Sequence, residues 1–100
     1  MNINNFTVLY DNIIITPHKK EEEIQGLILP SMSEEKPQLG TVVAIGDGRL
    51  MDDGTVVPLK IMVGDTVLFN KYSTTQFFLE NVEYLILREE DVIGLIRKQF

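Results

Sequence analysis

The chain contains no cysteine and a single histidine. Disulfides and thiolate metal sites are therefore excluded. Nucleophile–histidine chemistry has little to work with, because Ser31, Ser33 and Ser73 are loop serines with one possible base, His18, among them all. His18 has no second ligand at metal spacing and reads as a solvated residue of a charged loop. Basic residues are scarce: 9 Lys and Arg against 15 Asp and Glu, a formal net charge of −6. That balance argues against nucleic acid and against anionic membrane surfaces, both of which need clustered cations. No apolar run is long enough to span a bilayer and no signal peptide opens the chain, so a cytoplasmic protein is the expectation. Helical periodicity and internal repeats are also missing.

Short β-rich runs separated by turn signals recur instead. FTVLY (6–10), IIIT (13–16), TVVAI (41–45), TVLFN (66–70), QFFL (76–79) and EYLIL (83–87) all read as strands, the last two as a hairpin around Asn81. TVVPLKIMV (55–63) contains Pro58 and reads as two pieces or an edge strand. EEDVIGLIRKQF (89–100) is ambiguous, since Val92, Ile93, Leu95 and Ile96 suit one face of a short helix or a strand. With 100 residues, this pattern predicts one all-β domain, a small barrel or sandwich.

Residues 17–40 break the pattern. Pro17, Pro30, Pro37, Gly26 and Gly40 punctuate them, and glutamates outnumber lysines. Such a composition offsets little of its ordering entropy by burial, so a mobile loop is expected over about 17–38. Inside it stand Leu27, Ile28 and Leu29, in QGLILP (25–30). From the residues alone two readings stay open: a short strand folded onto the core, or an exposed anchor buried only against a partner.

The remaining constellations carry little chemistry. The pairs Asp52–Asp53 and Glu89–Glu90 have no neighbour in sequence that would shift a pKa, and read as a solvated face. GDGRLMDDG (46–54) lacks the ending of a phosphate loop and the spacing of an EF-hand. It reads as a turn-rich excursion, about 46–57, with Asp53–Gly54 at a hairpin tip. No catalytic residue, metal site or cofactor is expected, and function must reside in a surface.

Five stretches, in order, resemble the GroES-type co-chaperonins of the chaperonin-10 family: DNIII (11–15), QGLILP (25–30), GTVVAIGDGR (40–49), VPLKIMVGDTVLFNKY (57–72) and EYLILREEDVIGLI (83–96). The chain departs from the family pattern at Gln25, where a first glycine is usual, and at Thr74-Thr75-Gln76. The resemblance implies a small, irregular, partly open β-barrel with a β-hairpin roof and a long mobile loop. It implies a homo-heptameric lid on a GroEL-type chaperonin carrying ATP or ADP, enclosing unfolded client proteins and modulating the partner's ATP turnover. Gly26, Leu27, Ile28, Leu29 and Pro30 would bind the chaperonin. Ring closure would pair an N-terminal strand, with Ile3, Phe6, Val8 and Leu9, against a C-terminal strand of the neighbour, with Val92, Ile93, Leu95 and Ile96. Asp52, Asp53 and Gly54 would belong to the roof. The resemblance thus favours the anchor reading of Leu27–Leu29 and a strand over 92–96. Two competing readings remain: a lipoyl- or biotinyl-type carrier, with Lys60 as the nearest candidate for modification, and an SH3-like or OB-like nucleic-acid module.

Overall fold

A computed structural model of the chain describes residues 5–18 and 37–97. Eight strands are present among them: β1 (Asn12–Pro17), β2 (Pro37–Ile45), β3 (Arg49–Leu50), β4 (Val56–Val57), β5 (Thr66–Asn70), β6 (Thr75–Leu79), β7 (Val82–Arg88) and β8 (Val92–Ile96). Six of them form one open antiparallel sheet in the order β6-β7-β1-β2-β5-β8, while β3 and β4 pair separately. The expected all-β class is found, and the bent six-stranded sheet fits a small irregular barrel.

The sequence Ile13-Ile14-Ile15 explains why β1 is central. Alternate side chains of a strand point to opposite faces, so three consecutive isoleucines demand cover on both. Both faces are covered, and all three isoleucines are fully buried. Ile13 and Ile15 enter the main core with Val42, Ile61, Val67, Phe69, Leu85 and Leu87. Ile14 enters a second cluster with Val8 and Tyr84, flanked by Phe77 and Ile86.

That second cluster corrects one expectation. FTVLY is not a strand of its own chain's sheet: residues 6–9 lie outside these ladders and cover the second face instead. Val8 is buried there, and the Phe6 ring stacks on Phe77, which stacks in turn on Tyr84, with centroids 5.4 and 5.5 Å apart. Alternation in the segment is real, but what it meets is the exposed face of β1, β6 and β7 rather than a strand edge.

Bulges curve the sheet. One lies between Ile14 and Ile15, where Ile14 faces Ala44 and Ile15 faces Val42. The other lies where Leu68 faces Gly94 and Phe69 faces Val92, leaving Ile93 as the extra residue. The β6–β7 hairpin turns at Glu80 and Asn81, with φ of 51° and 68°. Two successive positive φ values are what a tight turn matched to strand twist requires, and asparagine tolerates them well. TVVPLKIMV contributes only Val56–Val57 as strand, since Pro58 supplies no donor to extend the ladder.

Candidate functional site

Three regions carry the candidate functional residues. The first is the connection between β1 and β2. β1 ends at Pro17 and β2 begins at Pro37, so Pro17, Pro37 and Gln38 are strand residues. The His18 amide donates to the Leu39 carbonyl at 2.8 Å, holding the exit of the connection beside its entry. His18 is not a solvated side chain: it is half-buried, and its Nε2 lies 2.7 Å from the Thr41 hydroxyl. Gly26, Leu27, Ile28, Leu29 and Pro30 lie outside the described residues.

The second region is the outer edge of β8 and the N-terminal segment. β8 pairs only with β5, through Thr66–Ile96, Val67–Leu95, Leu68–Gly94 and Phe69–Val92, and its other edge is open among the described residues. A strand is thereby adopted where the residues alone allowed a helix: every second side chain is needed on the core side, and only β geometry provides that period. Val92 packs on the main core. Ile93 and Leu95 point away from it, 55% and 40% exposed. In the N-terminal segment Val8 faces inward and Leu9 outward, at 58% exposure. Phe6 stacks on Phe77 and remains partly open to solvent. Ile3 lies outside the described residues.

The third region is the β3–β4 hairpin. Arg49 pairs with Val57 and Leu50 with Val56. The Gly54 amide donates to the Met51 carbonyl at 3.0 Å, and the Met51 amide to the Thr55 carbonyl at 2.8 Å. Asp52, Asp53 and Gly54 thus form a three-residue loop, with Gly54 at φ +92°, where a side chain would be strained. Asp53 is not merely solvated. Its carboxylate accepts from the Thr55 hydroxyl at 2.6 Å and the Thr55 amide at 3.0 Å. These bonds, the hydroxyl first, hold its pKa below the ordinary aspartate value. Leu50, Met51, Val56 and Val57 are all exposed along the hairpin.

Ion pairs on two buried aspartates brace these regions, and they were not legible from local sequence. Asp11, at the start of β1, accepts from Arg88 Nε and Nη2 at 3.2 and 3.1 Å, and Arg88 also meets Glu90 at 2.8 Å. Asp65, only 5% exposed, accepts from Arg97 Nε at 3.0 Å and Nη2 at 2.7 Å, and from the Met62 amide at 2.8 Å. Hydrogen bonding to Arg97 holds the Asp65 carboxyl below its usual range, against the opposing effect of burial. A depressed native pKa means that this contribution is complete above the unfolded value near pH 4 and fades as pH falls through the native value. We therefore expect the urea midpoint of wild type to exceed that of Asp65→Asn at pH 7, and the gap to narrow as pH falls below the ordinary aspartate range. A gap that stays constant as pH falls would show that Asp65 does not stabilise the fold through its charge.

Glu89 departs from the solvated-face expectation as well. Its carboxylate accepts the Lys60 amide at 2.7 Å, and its own amide donates to the Asp11 carbonyl at 2.9 Å. Among the described residues no group of three or more His, Asp or Glu side chains is placed to hold a metal ion. No helix among them is long and apolar enough to cross a membrane.

The family profile described as Chaperonin 10 Kd subunit matches residues 5–96. The chain belongs to this chaperonin-10 family. It is 45% identical over 89 residues to a protein named co-chaperonin GroES from Enterococcus faecalis, covering 88% of this chain and 95% of that one. It is 46% identical over 91 residues to a co-chaperonin GroES from Myxococcus xanthus, covering 90% and 95%. A co-chaperonin GroES from Listeria innocua is 46% identical over 88 residues, covering 87% and 94%. A chaperonin-10 chain is not an enzyme, in keeping with a site made of edges and loops. The carrier alternative is not favoured: Lys60 lies in a bend after β4, whereas the hairpin tip is Asp52–Gly54.

Proposed function

We propose that this chain is a co-chaperonin: a homo-heptameric lid that docks on a nucleotide-loaded GroEL-type chaperonin ring, encloses client protein and modulates the partner's ATP turnover. The observation that carries the reading is the family match across residues 5–96 together with relatives named co-chaperonin GroES over nearly their whole length. The lid acts in the cytoplasm and works without cofactor, membrane or nucleic acid.

The open edge of β8 supports the assembly step. Among the described residues its backbone has no partner strand on that side, and it carries two outward apolar side chains, Ile93 and Leu95. Residues 6–9 of a neighbouring copy lie outside its own ladders and present Leu9 outward. Pairing the two covers the β8 edge of every subunit, and a cyclic arrangement leaves no β8 edge uncovered. The β3–β4 hairpins form the roof, with Asp52, Asp53 and Gly54 at the central opening.

Leu27, Ile28 and Leu29 supply the contact with the chaperonin, with Gly26 allowing close backbone approach and Pro30 ending the segment. Burying three such side chains is worth on the order of 5–9 kcal/mol. Ordering about six residues costs on the order of 6–12 kcal/mol. One copy therefore binds weakly, whereas seven on one ring bind together because each later contact is intramolecular. A modest change at each groove of the partner, driven by its nucleotide, then releases the lid.

The test is direct. Light scattering should give a heptamer, and gel filtration with a GroEL-type ring should show co-migration when ATP or ADP is present. A monomer that ignores the ring in every nucleotide state would sink the reading. Leu95→Asp should convert the heptamer into folded monomer, because a charge on the open face of β8 blocks the neighbour and spares the core. A heptamer unchanged in mass would show that β8 is not the assembly edge.

A further inference from the structure

Lys60 sits between two parts of the molecule that the sequence keeps apart. It follows the β3–β4 hairpin by three residues, through Pro58 and Leu59. Its peptide groups are gripped from both ends of β8. Glu89, before β8, accepts the Lys60 amide at 2.7 Å, and Arg97, directly after β8, donates from Nη2 to the Lys60 carbonyl at 3.1 Å. Neither grip is loose. The Glu89 backbone is fixed to the Asp11 carbonyl, and the Arg97 guanidinium is fixed by two bonds to the buried Asp65. Ile61, the next residue, is buried in the main core. Bonds to charged groups are shorter and stronger than neutral ones, so the bracket holds the backbone of 58–61 against the flanks of β8.

The hairpin has few other supports. Its two-residue strands pair only with each other, and its apolar side chains are exposed. Contacts back to the body come from the Gly48 amide, which donates to the Tyr10 carbonyl at 2.9 Å, and from Arg49 near Asp11 at 3.9 Å. The chain leaving the hairpin is secured through Lys60 to the residues on either side of β8.

We propose that the Glu89–Lys60–Arg97 bracket couples assembly to hairpin order: when a second copy of this chain pairs along β8, the flanks of β8 stiffen and, through Lys60, so does the β3–β4 hairpin. The inference rests on the ring reading. Its consequence is that the hairpin opens less often once its subunit has a neighbour, so lone subunits carry a looser hairpin than ring members. Glu89, Arg97 and Asp65 are positioning residues in this scheme.

Amide hydrogen exchange tests it, on the full chain as ring and as Leu95→Asp monomer. In the ring, the amides of Lys60, Met51 and Gly54 should exchange about tenfold more slowly than in the monomer, as expected when a local opening is suppressed. Glu89→Met removes the acceptor for the Lys60 amide. Its ring should keep its mass while Met51 and Gly54 exchange as fast as in the monomer. The double variant Asp65→Asn/Arg97→Met removes the other arm without leaving a buried carboxylate, and should behave alike. Hairpin amides that slow on assembly in both variants would overturn the coupling and leave the ring reading intact. A wild-type chain that stays monomeric at every concentration would overturn both.

Discussion

Gly46→Ala will cost about 3 kcal/mol of stability, at the upper end of what a small insertion into a packed region does. The urea midpoint will fall accordingly at unchanged slope. The cause is steric and lies in the backbone. A Cβ at Gly46 would stand 2.1 Å from the Tyr10 carbonyl oxygen and 2.9 Å from the carbonyl carbon. Tyr10 has little freedom to retreat. It already holds φ 59°, unusual for a bulky residue. Its amide donates to Asp47 Oδ1 at 3.2 Å, its carbonyl accepts from Gly48, and the Gly46 amide donates to the Asn12 carbonyl at 2.9 Å. Gly54→Ala is the control. Nothing lies within 4 Å of its added Cβ, so only its φ of +92° is penalised, a cost of about 1–2 kcal/mol. Equal effects of the two variants would show that the Tyr10 turn yields and that Gly46 is not a packing glycine.

Ile28→Asp will abolish docking on the chaperonin ring without changing the mass or melting temperature of the lid. A carboxylate carried into an apolar groove is uncompensated, and the penalty recurs at every subunit. Affinity should fall by more than about a hundredfold, beyond detection in a co-migration assay. Leu27→Asp should do the same. A variant that fails to fold would instead place Leu27–Leu29 in the chain's own core, the other reading that the residues alone leave open. Circular dichroism on the same samples separates the two outcomes.

Both predictions concern glycines or apolar residues of stretches that resemble the family, yet they were unequally legible. The apolar triplet announces itself because it stands in a charged, proline-punctuated context. Gly46 does not. GDG reads as a generic turn, and only the fold shows that its first glycine admits the Tyr10 backbone. The strands divide in the same way. TVLFN coincides with β5, and Asn81 marks the β6–β7 turn, because alternation and turn chemistry act over a few residues. FTVLY has the same local signal as those strands and is not one, because what decides its fate is a face assembled from β1, β6 and β7. Likewise the Asp65–Arg97 ion pair and the bond from the Lys60 amide to Glu89 join residues 32 and 29 positions apart, beyond any window in which such pairing can be read.

The amino-acid sequence alone determined the family, the all-β class, the acidic character and the place of the apolar triplet, since each is written in composition, period or ordered short stretches. The tertiary structure alone decided that residues 6–9 cover a face, that Gly46 admits a neighbouring carbonyl, that His18 is half-buried, and that Lys60 is held between the flanks of β8. The physical reason is range: propensities and turns are settled among near neighbours, whereas burial, close backbone approach and ion pairing depend on which distant segments the bent sheet brings together.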